Sequence, residues 1–155
     1  MFNIVLYTPQ IPQNTGNIAR SCALTDARLH LVGPLGFSIQ DRYLKRAGLD
    51  YWDKMQVTAY DDFDDFMKKT SPDRLLLFTT KAEQYYTQAT YRANDFLLFG
   101  CETTGLPNEL HQRYADFRYT IPMRKGPQLR SLNLANSVNI VLYEALRQNH
   151  FANLR

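Results

Sequence analysis

The chain has 155 residues and a formal net charge of +3; 45% of its residues are hydrophobic and 13% aromatic. This length suits one compact domain spanning residues 1–155, and the apolar content excludes a disordered chain. The apolar runs are too short to cross a bilayer, and the first basic residue is Arg20, so we expect no secretory signal. The two cysteines predict no disulfide framework. We therefore expect a cytoplasmic globular protein without a bound metal.

Short apolar runs alternate with helical patterns along the chain. The predicted strands, in chain order, are Phe2–Tyr7, Leu29–Val32, Met55–Tyr60, Arg74–Thr79, Phe96–Gly100 and Phe117–Ile121. The predicted helices cover residues 16–26, 38–48, 61–69, 107–114 and 132–149. Continuously apolar strands are typical of a parallel sheet that is covered on both faces. Strands that alternate with helices in this way predict an α/β fold.

The first segment that could carry chemistry follows the first predicted strand. Its prolines, Pro9 and Pro12, predict a loop that becomes helical only where Asn14 or Thr15 caps the next helix. Arg20 would then lie in the first or second turn, near the positive end of the helix, where a phosphate could bind. An ordinary helix cap followed by a solvated arginine is an equally good interpretation.

The second segment is the turn Cys101-Glu102-Thr103-Thr104-Gly105, which follows a buried strand and precedes Pro107. Ligands of open α/β sheets bind at the carboxyl ends of strands, so this turn is a candidate pocket wall. Pro107 is predicted to occupy the first position of a helix. Glu102 could instead bond amides of the turn, and we expect Cys101 to be a small packing residue rather than a nucleophile.

The third segment joins the strand end Ile121-Pro122-Met123 to an asparagine-rich helix start through a basic loop, residues 124–130. A strand end, a flexible loop and a polar helix start again describe a ligand wall. The sequence has no glycine-rich motif for dinucleotides or phosphates, and its three histidines show no metal-ligand spacing.

The three segments together form a specific combination. The runs Asn14-Thr15-Gly16-Asn17-Ile18-Ala19-Arg20, Phe99-Gly100-Cys101-Glu102-Thr103-Thr104-Gly105-Leu106-Pro107, Ile121-Pro122-Met123 and Ser131-Leu132-Asn133-Leu134-Ala135-Asn136-Ser137 resemble the motifs of the SPOUT RNA methyltransferases. With Ile4-Val5-Leu6-Tyr7 and the stretch from Arg28 to Tyr51, the chain is similar to the minimal tRNA (cytidine/uridine) 2′-O-methyltransferases that modify the wobble nucleotide, the TrmL group. The resemblance covers nearly the whole chain. Gln10, Cys101 and a longer basic loop depart from close relatives.

The resemblance implies a SPOUT-type parallel sheet flanked by helices, a C-terminal trefoil knot and a homodimer. It implies methyl transfer from S-adenosylmethionine to the ribose 2′-hydroxyl of the wobble nucleotide of tRNA, with S-adenosylhomocysteine as product. Arg20 matches the catalytic position, acting near the cofactor of the other subunit. Since a guanidinium stays protonated, we do not expect Arg20 to act as a base. We expect it to bind a substrate phosphate and to stabilise the negative charge that develops on the 2′-oxygen. The positions that match the cofactor site are Phe78, Thr79, Gly100, Glu102, Gly105, Ile121, Ser131, Leu132 and Asn136.

Basic and polar residues supply candidate RNA contacts. These are Asn14, Asn17, Arg42, Lys45, Arg46, Arg124, Lys125 and Arg130. Tyr51 and Trp52 could stack on unpaired bases, although a solvated helix face with Trp52 in the core or the dimer interface is the alternative for that region. We expect Tyr143 at the dimer interface. Two other functions stay open: 2′-O-methylation of ribosomal RNA, and RNA binding by a catalytically silent relative.

Overall fold

The computed structural model describes residues 1–40, 42, 44, 46 and 55–155. Its sheet contains the strands β1 (Asn3–Tyr7), β2 (Arg28–Val32), β3 (Val57–Tyr60), β4 (Leu75–Phe78), β5 (Phe96–Phe99) and β6 (Arg118–Tyr119). Their order is β3-β2-β1-β5-β4-β6, and each neighbouring pair is parallel. The predicted parallel α/β fold is therefore confirmed.

The helices with described bounds are α1 (Pro12–Thr25), α2 (Phe63–Thr70), α3 (Asn108–Arg113) and α4 (Leu134–Gln148). Short 3-10 turns cover Tyr86–Gln88 and Ala115–Phe117. Helix α2 begins where the Asp62 carboxylate accepts a hydrogen bond from the Asp65 amide at 2.8 Å. Among the described residues, no helix is long and apolar enough to span a membrane.

The start of α1 differs from the prediction. Pro12 is the first helical residue, a position where its missing N–H leaves no hydrogen bond unmade, so the prolines do not delay the helix. Asn14 and Thr15 therefore lie buried in the first turn instead of capping it, and Ile11 is the cap residue, without a side-chain hydrogen bond. Arg20 lies in the third turn. Its predicted place near the positive end of the helix is wrong.

Other element bounds differ from the predictions at their ends. Pro107 precedes α3 as its cap residue rather than opening it, and α4 begins at Leu134. Five of the six predicted strands extend beyond the observed ones by one or two residues at one or both ends, whereas β2 begins at Arg28, one residue before its predicted start. Of the segment 38–48, Arg42, Leu44 and Arg46 are helical, while Lys45, Tyr51 and Trp52 lie outside the described residues.

Both faces of the sheet are buried, because alternate residues of each central strand enter different clusters. On β1, Ile4 and Leu6 pack on the face that α1 and α4 cover, whereas Val5 packs with Phe66 of α2. Helices α1 and α4 contact each other on the first face. This two-sided burial explains why the strands are continuously apolar, and it leaves the ends of the strands as the place where polar groups collect.

His30 of β2 is expected to make the protein acid-sensitive. Its Nδ1 lies 2.8 Å from Tyr60 Oη and its Nε2 lies 3.2 Å from Asn3 Oδ1. Burial, with a smaller contribution from Arg28, lowers the pKa of His30 to about 4. The unfolded pKa is about 6.5, so between these values the unfolded chain binds a proton that the folded chain does not. Stability should therefore fall as the pH drops from about 6.5 to about 4, by up to about 3 kcal/mol.

Urea unfolding between pH 7 and pH 4 measures this dependence. Burial also lowers the pKa of His111, so the His30→Gln variant should lose the part of this dependence that His30 causes rather than all of it. Replacing the exposed His150 by Gln should leave the dependence unchanged. The same pH dependence in wild type and His30→Gln would show that another group causes the acid sensitivity.

Candidate functional site

The sheet order brings three predicted cofactor residues to one edge. Strands β5, β4 and β6 are neighbours and run parallel, so their carboxyl ends meet. Phe78 ends β4, Gly100 follows β5, and Ile121 comes shortly after β6. The Phe78 ring stacks on the ring of Phe99, with centroids 5.0 Å apart. Segments separated by about twenty residues each along the chain thus meet at the carboxyl ends of these strands, where Phe78 and Phe99 stack.

The turn after β5 depends on two glycines. A Cβ at Gly100 would lie 2.5 Å from the carbonyl carbon of Gly105, which is backbone and cannot yield easily. Gly105 has φ +68° and pairs with Cys101 through two backbone hydrogen bonds, of 2.9 and 3.2 Å. Gly100 and Gly105 therefore close the turn tightly over residues 101–105.

Cys101 is buried in this turn, as expected for a packing residue, with its Sγ 3.5 Å from Thr103 Oγ1. Burial acts to raise the pKa of the Cys101 thiol, but hydrogen bonds from Thr103 and Thr104 outweigh it, so the net shift is downward. Hydrogen bonds within the turn thus favour the ionised form of the Cys101 thiol.

The Glu102 carboxylate binds a segment far away in the sequence. Its Oε2 accepts a hydrogen bond from the Gln10 amide at 2.9 Å, and its Oε1 accepts one from the Ile11 amide at 3.0 Å. Oε1 also accepts the Asn14 side-chain amide at 3.4 Å. Sequence reasoning allowed Glu102 to bond amides of its own turn; the structure instead places its partners in the loop after β1 and in the first turn of α1.

The third predicted segment is tied to the first. Asn133 caps α4, its Oδ1 accepting from the amides of Ala135 at 2.9 Å and Asn136 at 3.3 Å. Its Nδ2 donates to Asn14 Oδ1 at 2.8 Å. Asn14 thereby contacts both Glu102 and Asn133. All three predicted motifs are joined by side-chain hydrogen bonds.

A cavity of about 640 Å³ lies between the segment after β4 and the basic loop 124–130. Its wall includes two predicted cofactor residues, Ile121 and Ser131. The predicted RNA contacts in the wall are Arg124, Lys125 and Arg130. A volume of this order accommodates a ligand of nucleotide size. Its described wall does not include Arg42 or Arg46, which are exposed.

Sequence reasoning missed one wall of this cavity. Thr80, Ala82, Glu83 and Tyr85 line it, all in the segment after β4. Tyr85 forms a parallel bridge with Thr120, which places that segment beside the chain leaving β6. Thr79, which the resemblance selected, directly follows β4, and the general rule that ligands bind at the carboxyl ends of strands could have extended the candidate wall to the residues after it. The pairing with Thr120 could not be predicted, because no local pattern marks it.

The remaining predicted residues lie on or near the two packed helices. Arg20 and Asn17 are exposed on α1, three residues apart and therefore on one face. Asn136 is exposed in the first turn of α4, and Tyr143 is 49% exposed further along the same helix. Leu132 precedes this helix, and its amide lies 3.5 Å from Met123 Sδ. In the part of the chain that the structure describes, no group of three His, Cys, Asp or Glu side chains could hold a metal ion.

Comparisons with known proteins agree with this arrangement. The family model described as the SpoU rRNA Methylase family matches residues 1–143. The tRNA (cytidine(34)-2'-O)-methyltransferase of Escherichia coli (strain K12) is 46% identical over 149 residues, which cover 96% of this chain and 94% of that protein.

Two solved structures extend the comparison. The one described as "Structural insights into the 2-OH methylation of C/U34 on tRNA" is 43% identical, with a TM-score of 0.90 and 97% of both chains covered. The AdoMet bound rRNA methyltransferase from Sinorhizobium meliloti is 26% identical, with a TM-score of 0.81 over 94% of this chain and 56% of that one. The resemblance read from the three motifs is confirmed: this chain belongs to the SpoU methylase family.

Proposed function

We propose that this protein transfers the methyl group of S-adenosylmethionine to the ribose 2′-oxygen of the wobble cytidine or uridine of tRNA. The observation that carries the proposal is the meeting of the three motifs at one sheet edge, joined by the hydrogen bonds of Asn14 with Glu102 and Asn133. Relatives with 43–46% identity over nearly the whole chain, whose names state this chemistry, support it.

The residues at the sheet edge fit the cofactor. Ile121 and Met123 supply apolar wall, Ser131 supplies a hydroxyl, and a Cβ at Gly105 would meet no atom within 4 Å, so the turn offers open space beside its backbone. We assign cofactor binding to Phe78, Thr79, Gly100, Glu102, Gly105, Ile121, Ser131, Leu132 and Asn136. When bound, S-adenosylmethionine supplies a methyl group on a cationic sulfonium. The protein's part is to hold the two reactants in line.

Arg20 is the residue to which we assign catalysis. A guanidinium cannot act as a base at ordinary pH, but it can bind a substrate phosphate with two parallel hydrogen bonds and stabilise negative charge as it develops on the 2′-oxygen. The proton of the 2′-hydroxyl leaves to a phosphate oxygen or to water. We assign Asn17, which is exposed on the same face of α1, to contact with the same RNA strand.

We assign binding of the RNA phosphates to cationic side chains. Arg124, Lys125 and Arg130 are exposed and line the cavity, so they can neutralise phosphates on either side of the target nucleotide. Tyr85, 50% exposed in the opposite wall, offers a ring on which an unpaired base can stack. Arg42, Lys45 and Arg46 form a second basic segment in our assignment.

We further propose that residues 1–155 form one SPOUT domain that works in the cytoplasm as a homodimer. Leu24 on α1 is 56% exposed and Tyr143 on α4 is 49% exposed, so apolar surface remains on the two packed helices. A second copy bound there would cover this surface and bring Arg20 towards the partner's cofactor. The C-terminal trefoil knot stays a prediction from the resemblance.

The second candidate is the same chemistry on ribosomal RNA. It is favoured by the description of the family model and by the rRNA methyltransferase of Sinorhizobium meliloti, whose fold this chain shares. The lower identity of that protein, 26%, makes it the weaker candidate. A catalytically silent relative is the third.

Labelled methyl transfer from S-adenosylmethionine to bulk tRNA, compared with ribosomal RNA, tests the proposal. We expect label on tRNA and, after alkaline digestion, an alkali-resistant dinucleotide that contains the wobble nucleotide, because a 2′-O-methyl group blocks cleavage at its own linkage. Label on ribosomal RNA alone would establish the second candidate. Cofactor binding without label on either RNA would establish the third, and label on a base would overturn the ribose chemistry.

A further inference from the structure

Asn14 has an unusual position for a polar side chain near a candidate RNA site. It is only 6% exposed, and both ends of its amide are used: Nδ2 donates to Glu102 and Oδ1 accepts from Asn133. An asparagine can donate and accept at once, whereas an ionised aspartate only accepts. The chemistry of this position therefore requires an amide in one orientation.

The two partners of Asn14 are themselves fixed. Glu102 accepts the Gln10 and Ile11 amides, which brings a carboxylate to the start of α1, where Ile11 supplies no side-chain cap. Asn133 caps α4 with the oxygen that Asn14 does not contact. The contacts link residues 88 and 119 positions apart in the sequence. Asn14 is thus the middle of a bridge between the β5 turn and two helix starts.

We infer that Asn14 is a positioning residue, which fixes the first turn of α1 against the β5 turn and the start of α4 of its own chain, and with it the direction in which Arg20 is presented to the cofactor of the partner subunit. The inference rests on the proposed function for the roles of Arg20 and the cofactor, and it adds a role for Asn14 that contact with RNA would not give. Since Arg20 follows on the same helix, a tilt at the first turn of α1 moves its guanidinium. A misplacement of about 1 Å in a reacting pair can cost about a hundredfold in rate.

The Asn14→Asp variant tests the bridge directly. It keeps the oxygen that accepts from Asn133 but places a second carboxylate against that of Glu102. When both carboxylates are ionised, they repel each other and the contact is lost. We expect kcat to fall at least about tenfold at pH 8 while KM for the cofactor changes less. The loss should shrink towards pH 6, where one of the two carboxyls takes up a proton and can again donate.

Two further variants separate positioning from a general defect. Asn14→Asp combined with Glu102→Gln leaves one carboxyl at the contact, so the pH dependence of the loss should disappear. Asn153→Asp, the same change at an exposed residue near the C-terminus, should behave as wild type. Wild-type kcat for Asn14→Asp at pH 8, or a loss of the same size from pH 6 to pH 8.5, would overturn the inference.

A second route covers the case in which Asn14→Asp does not fold. Asn133→Asp still accepts the Ala135 and Asn136 amides, and a negative charge at a helix start is favourable, so α4 should keep its cap and the protein its melting temperature. It cannot donate to Asn14, and kcat should again fall about tenfold. An unchanged kcat would refute the bridge. If the wild type proves inactive on tRNA, the proposed function has failed. The bridge is then tested by melting temperature: that of Asn14→Asp, relative to wild type, should be lower at pH 8 than at pH 6, and an equal difference at both pH values would refute the bridge.

Discussion

Replacing Arg20 by alanine is expected to lower the rate of methyl transfer to tRNA at least about a hundredfold, and to leave the affinity for S-adenosylmethionine within about twofold. Removing a group that stabilises a developing oxyanion costs about this much in other enzymes. Cofactor affinity should be spared because Arg20 lies exposed on the third turn of α1 and is not in the described wall of the cavity. Single-turnover rates and calorimetric titration measure the two quantities.

A control variant and a conservative substitution accompany this experiment. Arg113→Ala removes another exposed arginine, whose guanidinium lies 5.4 Å from the ring centre of Tyr114, and it should leave the rate unchanged. Arg20→Lys keeps the charge but not the planar pair of donors, so an intermediate rate is expected. Full turnover by Arg20→Ala would remove this residue from the mechanism.

Replacing Gly100 by alanine is expected to weaken cofactor binding at least about tenfold and to lower the melting temperature by about 5 °C. The added Cβ would lie 2.5 Å from the Gly105 carbonyl carbon and 2.7 Å from the Leu106 nitrogen, both backbone atoms. The turn must open to admit it, and overpacking of this kind costs about 1–3 kcal/mol. Because we assign this turn to the cofactor site, the strain and the loss of affinity should appear together in calorimetry and thermal unfolding.

Other glycines provide a graded comparison. A Cβ at Gly126 would meet only side-chain carbons of Leu129, at 3.2 and 3.4 Å, so Gly126→Ala should melt as wild type does. A Cβ at Gly105 would meet nothing within 4 Å, but φ is +68°, and alanine pays about 1 kcal/mol there, so a smaller decrease in melting temperature is expected. Wild-type affinity in Gly100→Ala would mean that this turn is not a cofactor wall.

The Arg20→Ala and Gly100→Ala variants can be combined, at a cofactor concentration too low to fill the Gly100→Ala site, to test the dimer. If Arg20 serves the cofactor of the partner subunit, a mixed dimer of Arg20→Ala and Gly100→Ala chains has one intact composite site. Random pairing makes about half of the dimers mixed, so about a quarter of the sites should be active. No recovery after co-expression would indicate that Arg20 acts within its own subunit.

The α/β class was predictable because both faces of the sheet are buried, which makes strands such as Leu75–Phe78 uniformly apolar. The order of the strands was not, since no local pattern shows that β5 lies between β1 and β4. The start of α1 was mispredicted because Pro12 was interpreted as a helix breaker, although proline is favoured at the first helical position.

The candidate site was predictable in its motifs but not in its connections. The motif residues Asn14, Glu102 and Asn133 were visible in the sequence, yet their hydrogen bonds span 88 and 119 positions and depend on the folded arrangement. The pairing of Tyr85 with Thr120, which lies beside it in the cavity wall, was missed for the same reason, because no local pattern marks it.

The position of β1 in the sheet bears on how the chain folds as it is synthesised. β1 is synthesised before the other five strands of this sheet, yet one of its two neighbours is β5, with Asn3 opposite Phe96. Until β5 has left the ribosome, β1 can pair with β2 only. The backbone groups on its other side have no partner strand, and its apolar side chains are incompletely covered. Pairing over such sequence distances closes large loops and is slow. We expect folding in the range of seconds rather than milliseconds, with the exposed edge of β1 as the point where nascent chains associate or where a chaperone binds.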